Sequence, residues 1–239
     1  MIEDSPVMAG RLAAPFWTYE DLALFIAALL PCSFLGLLIV RLSGVKGAAE
    51  VALLFQSLIY AMLLGVLYLL VSWRYQRPFW RSLSWSRPMH GARICALVSP
   101  FLAIGTSALG VGLHTPEGPD PITGMISNRI SLAVVMLFVV VIGPVFEELV
   151  FRGFLLPLLV KSFGPAAGII LTALPFALLH APQNQWIWQK VLLIGLAGVA
   201  FGYAKYKTGS TASATILHCG FNLTGALGYV IQQWASGAL

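Results

Sequence analysis

Long apolar stretches alternate along the chain with short segments rich in polar residues, glycine and proline. Several of these stretches approach the length of about 20 residues that a helix needs to cross a bilayer. They are too long and too uniformly apolar for the strands of a membrane barrel. The pattern therefore predicts an all-α, polytopic transmembrane helical bundle of about eight helices, one of them short or re-entrant. The stretches cover approximately residues 19–40, 51–73, 94–113, 130–146, 149–160 (the short one), 166–181, 187–204 and 211–234.

Composition and charge agree with a membrane protein and indicate its orientation. The chain of 239 residues is 59% hydrophobic and only 10% charged, whereas soluble domains carry about 25% charged residues. Residues 74–93 hold five arginines and no acidic residue. A basic segment between two apolar helices is typical of a cytoplasmic loop, so we expect lipid and no nucleic acid as the partner of this protein.

Two further patterns concern the arrangement of the helices. If residues 149–160 cross the membrane completely, the basic "KYK" of residues 205–207 falls outside, and if they re-enter, it falls inside. The positive-inside rule favours the second arrangement, although both stay open. Gly198 and Gly202 form a GxxxG pattern, which predicts close packing of that helix against a neighbour.

Charged side chains interrupt an apolar stretch in "GPVFEELVFRG", residues 143–153. A charge at the centre of a bilayer costs about 2.5–3.5 kcal/mol on insertion scales. Glu148 and Arg152 are four residues apart, so a helix places them on one face, where they can pair. Glu147 is rotated by about 100° from Glu148 and has other neighbours. The spacing indicates one carboxylate held by an ion pair and one available for acid–base chemistry, although a purely structural charge cluster at the membrane surface explains it equally well.

Two later apolar stretches carry histidines at helical spacing from a second notable residue. "FALLH" places Phe176 and His180 four residues apart near the end of one helix. "HCGFN" places His218 and Asn222 on one face of the last helix. A single histidine in an apolar helix is more often a packing residue. Glu, His and Asn side chains distributed over three membrane helices, however, indicate a shared polar cavity.

Two chemistries suit such a cavity. In the first, Glu147 and His180 activate a water molecule, and His218 and Asn222 donate hydrogen bonds to the oxyanion, at about 2.7–4 kcal/mol per donor. In the second, a metal such as zinc is bound and its water is the nucleophile. The HExxH pattern does not occur in the sequence, which excludes the familiar zinc-protease arrangement but not a dispersed site. The candidate metal ligands are Glu147, Glu148, His180 and His218.

Taken together, these patterns resemble the three motifs of the CPBP family, the CAAX proteases and bacteriocin-processing enzymes, also called the Abi family. The motifs EExxxR, FxxxH and HxxxN occur in the family's order within approximately residues 130–230. Residues 1–125 match only as generic membrane helices with a basic loop. We therefore divide the chain into a generic part, residues 1–125, and a CPBP/Abi-like catalytic core, residues 126–239, within one integrated membrane domain.

The resemblance implies an intramembrane glutamic endopeptidase that cleaves near the C-terminus of a membrane-associated protein or peptide, CAAX-type and with or without a prenyl group. It implies no cofactor, with zinc as the minor alternative. The compact chain favours a prokaryotic plasma membrane. The oligomeric state stays open. The implied catalytic residues are Glu147 and His180 for water activation and His218 and Asn222 for the oxyanion hole, and the implied supporting residues are Glu148, Arg152 and Phe176.

Two other functions compete with the protease. The chain could be a non-catalytic membrane protein, either a bacteriocin-immunity factor that sequesters a peptide or a scaffold. It could also be a transporter with a proton relay, although its two halves show no inverted repeat. The protease hypothesis requires the candidate side chains to converge around one cavity. His180 and His218 on opposite sides of the bundle would contradict it.

Overall fold

The computed structural model describes residues 12, 14–85, 89–116, 125–126 and 128–236, without the side chains of residues 89, 90 and 129. Parts of the basic loop (86–88) and of the loop after the third long helix (117–124) lie outside these residues. The described part is helical and has no strand, which confirms the predicted all-α bundle. The α-helices are α1 Tyr19–Ala27, α2 Leu29–Ser43, α3 Ala48–Tyr68, α4 Phe79–Ser82, α5 Met89–Gly112, α6 Arg129–Leu137, α7 Gly143–Glu148, α8 Leu156–Leu179, α9 Trp188–Thr208 and α10 Thr211–Ala235. Three π-helical segments continue or join them: Leu69–Arg74, Phe138–Ile142 and Leu149–Leu155.

Helix length and apolarity identify a multi-pass integral membrane protein. Among the described residues, five helical stretches are long and apolar enough to cross a bilayer. The remaining long helix, α9, packs against α5, α8 and α10 and so belongs to the same bundle. The five stretches are Tyr19–Ser43, Ala48–Arg74, Gly91–Gly112, Ile130–Leu179 and Thr211–Ala235.

The helix that carries the charged motif does not end there. The predicted stretches 130–146 and 149–160 form one continuous helix, 129–163, built from α6, α7, two π-helical segments and the start of α8. The chain reverses at Gly164, whose φ of 79° and ψ of 171° suit glycine. Pro165 then begins the returning half of α8, and Gly168 packs directly against the backbone of Val160. Residues 149–160 are therefore neither a separate span nor a re-entrant segment.

Contacts at one end of the bundle settle the side on which "KYK" lies. The Thr211 hydroxyl donates to the Leu83 carbonyl at 2.5 Å, and the Thr211 N–H donates to the Ser84 carbonyl at 3.0 Å. Leu83 and Ser84 belong to the basic loop, so the turn between α9 and α10 lies at the same end. Residues 205–207 precede that turn directly. The basic loop and the lysines of "KYK" thus share one side, as the positive-inside rule favours.

The charged helix runs through the middle of the bundle, between two apolar clusters. Phe146, Leu149 and Phe154 pack into a cluster with α1 and α3. Phe151, in the same stretch, packs into a second cluster with residues of α8, α9 and α10. A Cβ on Gly198 of α9 would lie 3.1 Å from the Phe176 ring, so the predicted close helix approach occurs between α8 and α9.

Candidate active site

Glu148 and Arg152 form a buried ion pair one helical turn apart. Arg152 Nη1 donates to Glu148 Oε1 at 2.8 Å, and both side chains are 0% exposed. Arg152 Nη2 donates to the Gly198 carbonyl of α9 at 2.8 Å. The attraction within a buried pair offsets the loss of hydration only when hydrogen bonds satisfy the remaining polar atoms. The second bond of Arg152 supplies part of that satisfaction and ties the motif helix to α9.

Aromatic rings surround the Arg152 guanidinium. Its Cζ lies 4.6 Å from the centroid of Phe176, 5.3 Å from Phe201 and 5.9 Å from Phe151. A cation over an aromatic face is attracted by about 2 kcal/mol or more when the site excludes water. Phe176, which the FxxxH pattern singled out, therefore packs on the arginine of the EExxxR pattern.

His218 lies between the two glutamates. Its Nδ1 is 2.9 Å from Glu148 Oε1, and its Nε2 is 3.9 Å from Glu147 Oε2. The imidazole is stacked on the Phe201 ring, with centroids 4.3 Å apart. An ionised carboxylate only accepts hydrogen bonds, so Nδ1 carries a proton in the bond to Glu148. The first and third motifs thus meet in one buried cluster, with Nε2 directed towards Glu147.

Glu147 has surroundings unlike those of its neighbour. Its side chain is 14% exposed, and the Tyr60 hydroxyl donates to its Oε1 at 2.9 Å. Its Oε2 is the oxygen on the His218 side. Tyr60 was not among the predicted site residues. The signal for it was a tyrosine in an apolar helix, since a buried tyrosine hydroxyl usually finds a hydrogen-bond partner.

His180 follows the last residue of α8, where the helix ends. Its Nδ1 is 2.7 Å from the Phe176 carbonyl oxygen, which can only accept, so Nδ1 carries the proton. In the neutral ring Nε2 is then the free base. The Phe176 ring contacts both imidazoles, with centroids 4.7 Å from His180 and 5.8 Å from His218. The two histidines therefore lie on the same side of the bundle.

Asn222 is held by a carbonyl of the π-helical segment Phe138–Ile142. Its Nδ2 donates to the Val139 oxygen at 2.8 Å. In π-helical register that oxygen would pair with the N–H five residues later, at Pro144, but proline has none. The carbonyl is left for Asn222, and the second Nδ2 hydrogen stays available. Pro144, which lies in the charged segment 143–153, thus helps to position the Asn222 side chain of α10.

The donors for the zinc alternative are not arranged as a metal site. In the part of the chain that the structure describes, no group of three or more His, Cys, Asp or Glu side chains could hold a metal ion. Glu148 Oε1, one of the proposed ligands, is shared by Arg152 and His218 instead. The four proposed ligands therefore do not fit a metal in this arrangement.

The comparison with known families agrees with this geometry. Residues 129–224 match the family model described as type II CAAX prenyl endopeptidase Rce1-like, which covers 96 of the chain's 239 residues. No curated protein and no solved structure matches the chain significantly. The helices are those of a multi-pass membrane protein, and the matched region is similar to membrane-embedded proteases of the CAAX type. The match at residues 129–224 confirms the resemblance to the CPBP family.

Proposed function

We propose that this chain is an intramembrane endopeptidase in which Glu147 and His180 activate a water molecule. Its substrate is a membrane-associated protein or peptide of the CAAX type, cut near its C-terminus in a prokaryotic plasma membrane. The observation that carries the proposal is the contrast between two adjacent glutamates. Glu148 is 0% exposed and bound by Arg152 and His218, whereas Glu147 is 14% exposed and keeps Oε2 on the side of His218.

Glu147 is the proposed general base. Its Oε1 is engaged by Tyr60, so Oε2 is the oxygen that takes a proton from water as the water oxygen bonds to the scissile carbonyl carbon. His180, through its unprotonated Nε2, orients the same water. The π electrons of the carbonyl move onto its oxygen. When the C–N bond breaks, the proton returns from Glu147 to the leaving nitrogen.

His218 and Asn222 are the proposed oxyanion donors. Because Nδ1 of His218 already donates to Glu148, Nε2 can donate only in the imidazolium form, whose charge then lies beside the Glu148 carboxylate. Asn222 contributes the Nδ2 hydrogen that the Val139 carbonyl leaves free. One such donor contributes about 2.7–4 kcal/mol to the stability of the transition state.

Glu148, Arg152 and Phe176 support these groups without touching the reacting atoms. Glu148 fixes the ring orientation of His218 through Nδ1. Arg152 neutralises Glu148 and binds the Gly198 carbonyl. The Phe176 ring contacts the imidazoles of His180 and His218, and the Phe176 backbone carbonyl accepts a hydrogen bond from His180.

Cleavage of fluorogenic C-terminal peptides, prenylated and unprenylated, by protein in proteoliposomes tests the proposal. Glu147→Ala and His180→Ala should each lower kcat by about 10²- to 10⁴-fold, the usual contribution of a general acid–base group. Glu50→Ala and His114→Ala change exposed residues away from the site and serve as matched controls. Activity should persist with a metal chelator present.

Full activity in both site variants would contradict the mechanism. The non-catalytic alternative gives a different result, because an immunity factor or scaffold would bind its peptide equally well with or without Glu147 and His180. Abolition of cleavage by the chelator, with recovery on adding zinc, would instead favour the metal-dependent alternative.

A further inference from the structure

Tyr60 joins the candidate site from the half of the molecule that lies outside the family match. It belongs to α3, whereas the match covers residues 129–224. Its ring is stacked on Phe146, at a centroid distance of 3.9 Å, and on Phe138, at 5.7 Å. The interplanar angles are 15° and 14°, so three nearly parallel rings form one column.

This column fixes the direction of the Tyr60 hydroxyl. A phenol ring has two rotatable side-chain bonds, and the two rings stacked on it restrict them. The hydroxyl donates to Glu147 Oε1 at 2.9 Å. Phe146 precedes Glu147 in the chain, so the column and the carboxylate belong to the same helical turn. The position of the carboxylate is therefore set from both α3 and α7.

We infer that Tyr60 is a positioning residue of the active site, which binds Glu147 Oε1 and thereby presents Oε2 to the water and to His218. The inference rests on the proposed function of Glu147. A carboxylate without this bond could rotate about its last side-chain torsion, which is broad. The position of Oε2 relative to the water would then vary. A misplacement of about 1 Å can lower the rate 10²-fold.

The hydroxyl has no comparable structural purpose. Glu148, not Glu147, carries the buried ion pair that holds the motif helix. A phenylalanine at position 60 would keep the stacking on Phe138 and Phe146 and remove only the hydroxyl, with its hydrogen bonds to Glu147 and to the Gln56 side chain. The substitution Tyr60→Phe therefore separates the positioning of Glu147 from the packing of α3.

The test compares Tyr60→Phe with Tyr68→Phe in proteoliposomes, using the peptide that the wild type cleaves best. Tyr68 lies on the same helix, is 53% exposed and contacts Phe79 with the ring planes tilted by 48°. Tyr60→Phe should lower kcat by about 10- to 100-fold, the usual effect of losing a hydrogen bond to a charged group. Its KM should stay within about twofold, and its thermal unfolding midpoint should fall only slightly, because the ring packing is kept and only hydrogen bonds are lost. Tyr68→Phe should match the wild type in all three.

Testing Tyr60→Phe in the Glu147→Asp variant as well shows whether its effect acts through Glu147. Glu147→Asp shortens the side chain and withdraws it from the Tyr60 hydroxyl, so adding Tyr60→Phe should lower the residual kcat by less than about twofold. If the two effects multiply, or if Tyr60→Phe lowers the unfolding midpoint with an unchanged kcat per folded molecule, the positioning role is wrong. If Glu147→Asp and Glu147→Ala both keep full activity, the proposed function itself fails. A Tyr60→Phe variant with wild-type kcat, beside an inactive Glu147→Ala, overturns only the inference.

Discussion

Two neighbouring glutamates of one helix, Glu147 and Glu148, have opposite surroundings. On one side of the helix, Glu148 is closed off among Arg152, His218 and aromatic rings and is 0% exposed. On the other side, the polar partners of Glu147 in the described part of the chain are a tyrosine hydroxyl and a histidine nitrogen 3.9 Å away, and 14% of its side chain is exposed. A rotation of about 100° between successive residues is enough to produce this difference.

Under the proposed mechanism, this difference would let a membrane protein keep one carboxylate available for chemistry. An isolated charge inside a membrane is costly, and a group that is fully paired has no free atom for chemistry. Here the paired glutamate lets the helix pass through the bundle with charges inside it. Its neighbour then needs only one hydrogen bond. The two regions can be separated experimentally, because variants on the Glu148 side should act mainly on stability and variants around Glu147 mainly on rate.

The largest effect on stability is expected for Glu148→Ala. It leaves Arg152 as an uncompensated buried charge, which costs about 3–5 kcal/mol. A lower unfolding midpoint in detergent and a lower yield of folded protein should result, with Glu50→Ala as the matched control. The double variant Glu148→Met/Arg152→Met should recover most of the stability, since apolar residues can replace a buried pair. If the double variant does not regain stability, Glu148 and Arg152 contribute more than the mutual neutralisation of their charges.

The next effect concerns the rate and belongs to Asn222→Ala. Removing one oxyanion donor should lower kcat by about 10²- to 10³-fold. The unfolding free energy should fall by only about 1 kcal/mol, the net value of the bond to the Val139 carbonyl. Thr224→Ala is the control, because it removes another hydrogen bond of the same helix. Equal kcat values for the two variants would remove Asn222 from the oxyanion hole.

A smaller loss is expected for Arg152→Lys. An ammonium keeps the charge but lacks the planar fork that binds Glu148 and the Gly198 carbonyl together. We expect a loss of about 1.5–3 kcal/mol, one hydrogen bond to a charged group. Thermal unfolding in detergent measures it, with the exposed Arg41→Lys as control. A variant as stable as the wild type would mean that charge alone holds the motif.

The smallest effect is expected for Gly198→Ala. The new Cβ would lie 3.1 Å from the Phe176 ring and 3.3 Å from Ala173, so α8 and α9 must shift by a few tenths of an ångström. The cost should be about 1 kcal/mol, the lower end for overpacking. Gly65→Ala, which meets nothing within 4 Å, is the control. Activity should also fall, but only to the extent that the shift moves Phe176 relative to His180.

Helical periodicity made part of this site predictable. Positions four residues apart share a face, so the pairing of Glu148 with Arg152 followed from the sequence and occurs even where the helix is π-helical. Likewise, a helix ends at Gly164, in the gap predicted between the stretches 149–160 and 166–181. The predicted break between residues 146 and 149 was wrong. Glu148 and Arg152 neutralise each other, so the apolar helix continues through them.

The contacts between distant segments could not be predicted. The bond of His218 to Glu148 joins residues 70 positions apart, and that of Tyr60 to Glu147 joins residues 87 apart. No periodicity encodes such distances. The carbonyl that holds Asn222 had a local signal, since Pro144 lacks an N–H, but the π-helical register decides which carbonyl is freed.

The most direct measurement compares Glu147→Gln with Glu148→Gln in parallel, recording peptide cleavage in proteoliposomes and the unfolding midpoint in detergent. Glutamine keeps the shape of the side chain and removes its charge and basicity. We predict that Glu147→Gln loses cleavage by at least about 10²-fold with an unchanged midpoint, and that Glu148→Gln unfolds at a clearly lower temperature. A Glu147→Gln variant that cleaves at the wild-type rate would contradict the division of roles between the two glutamates.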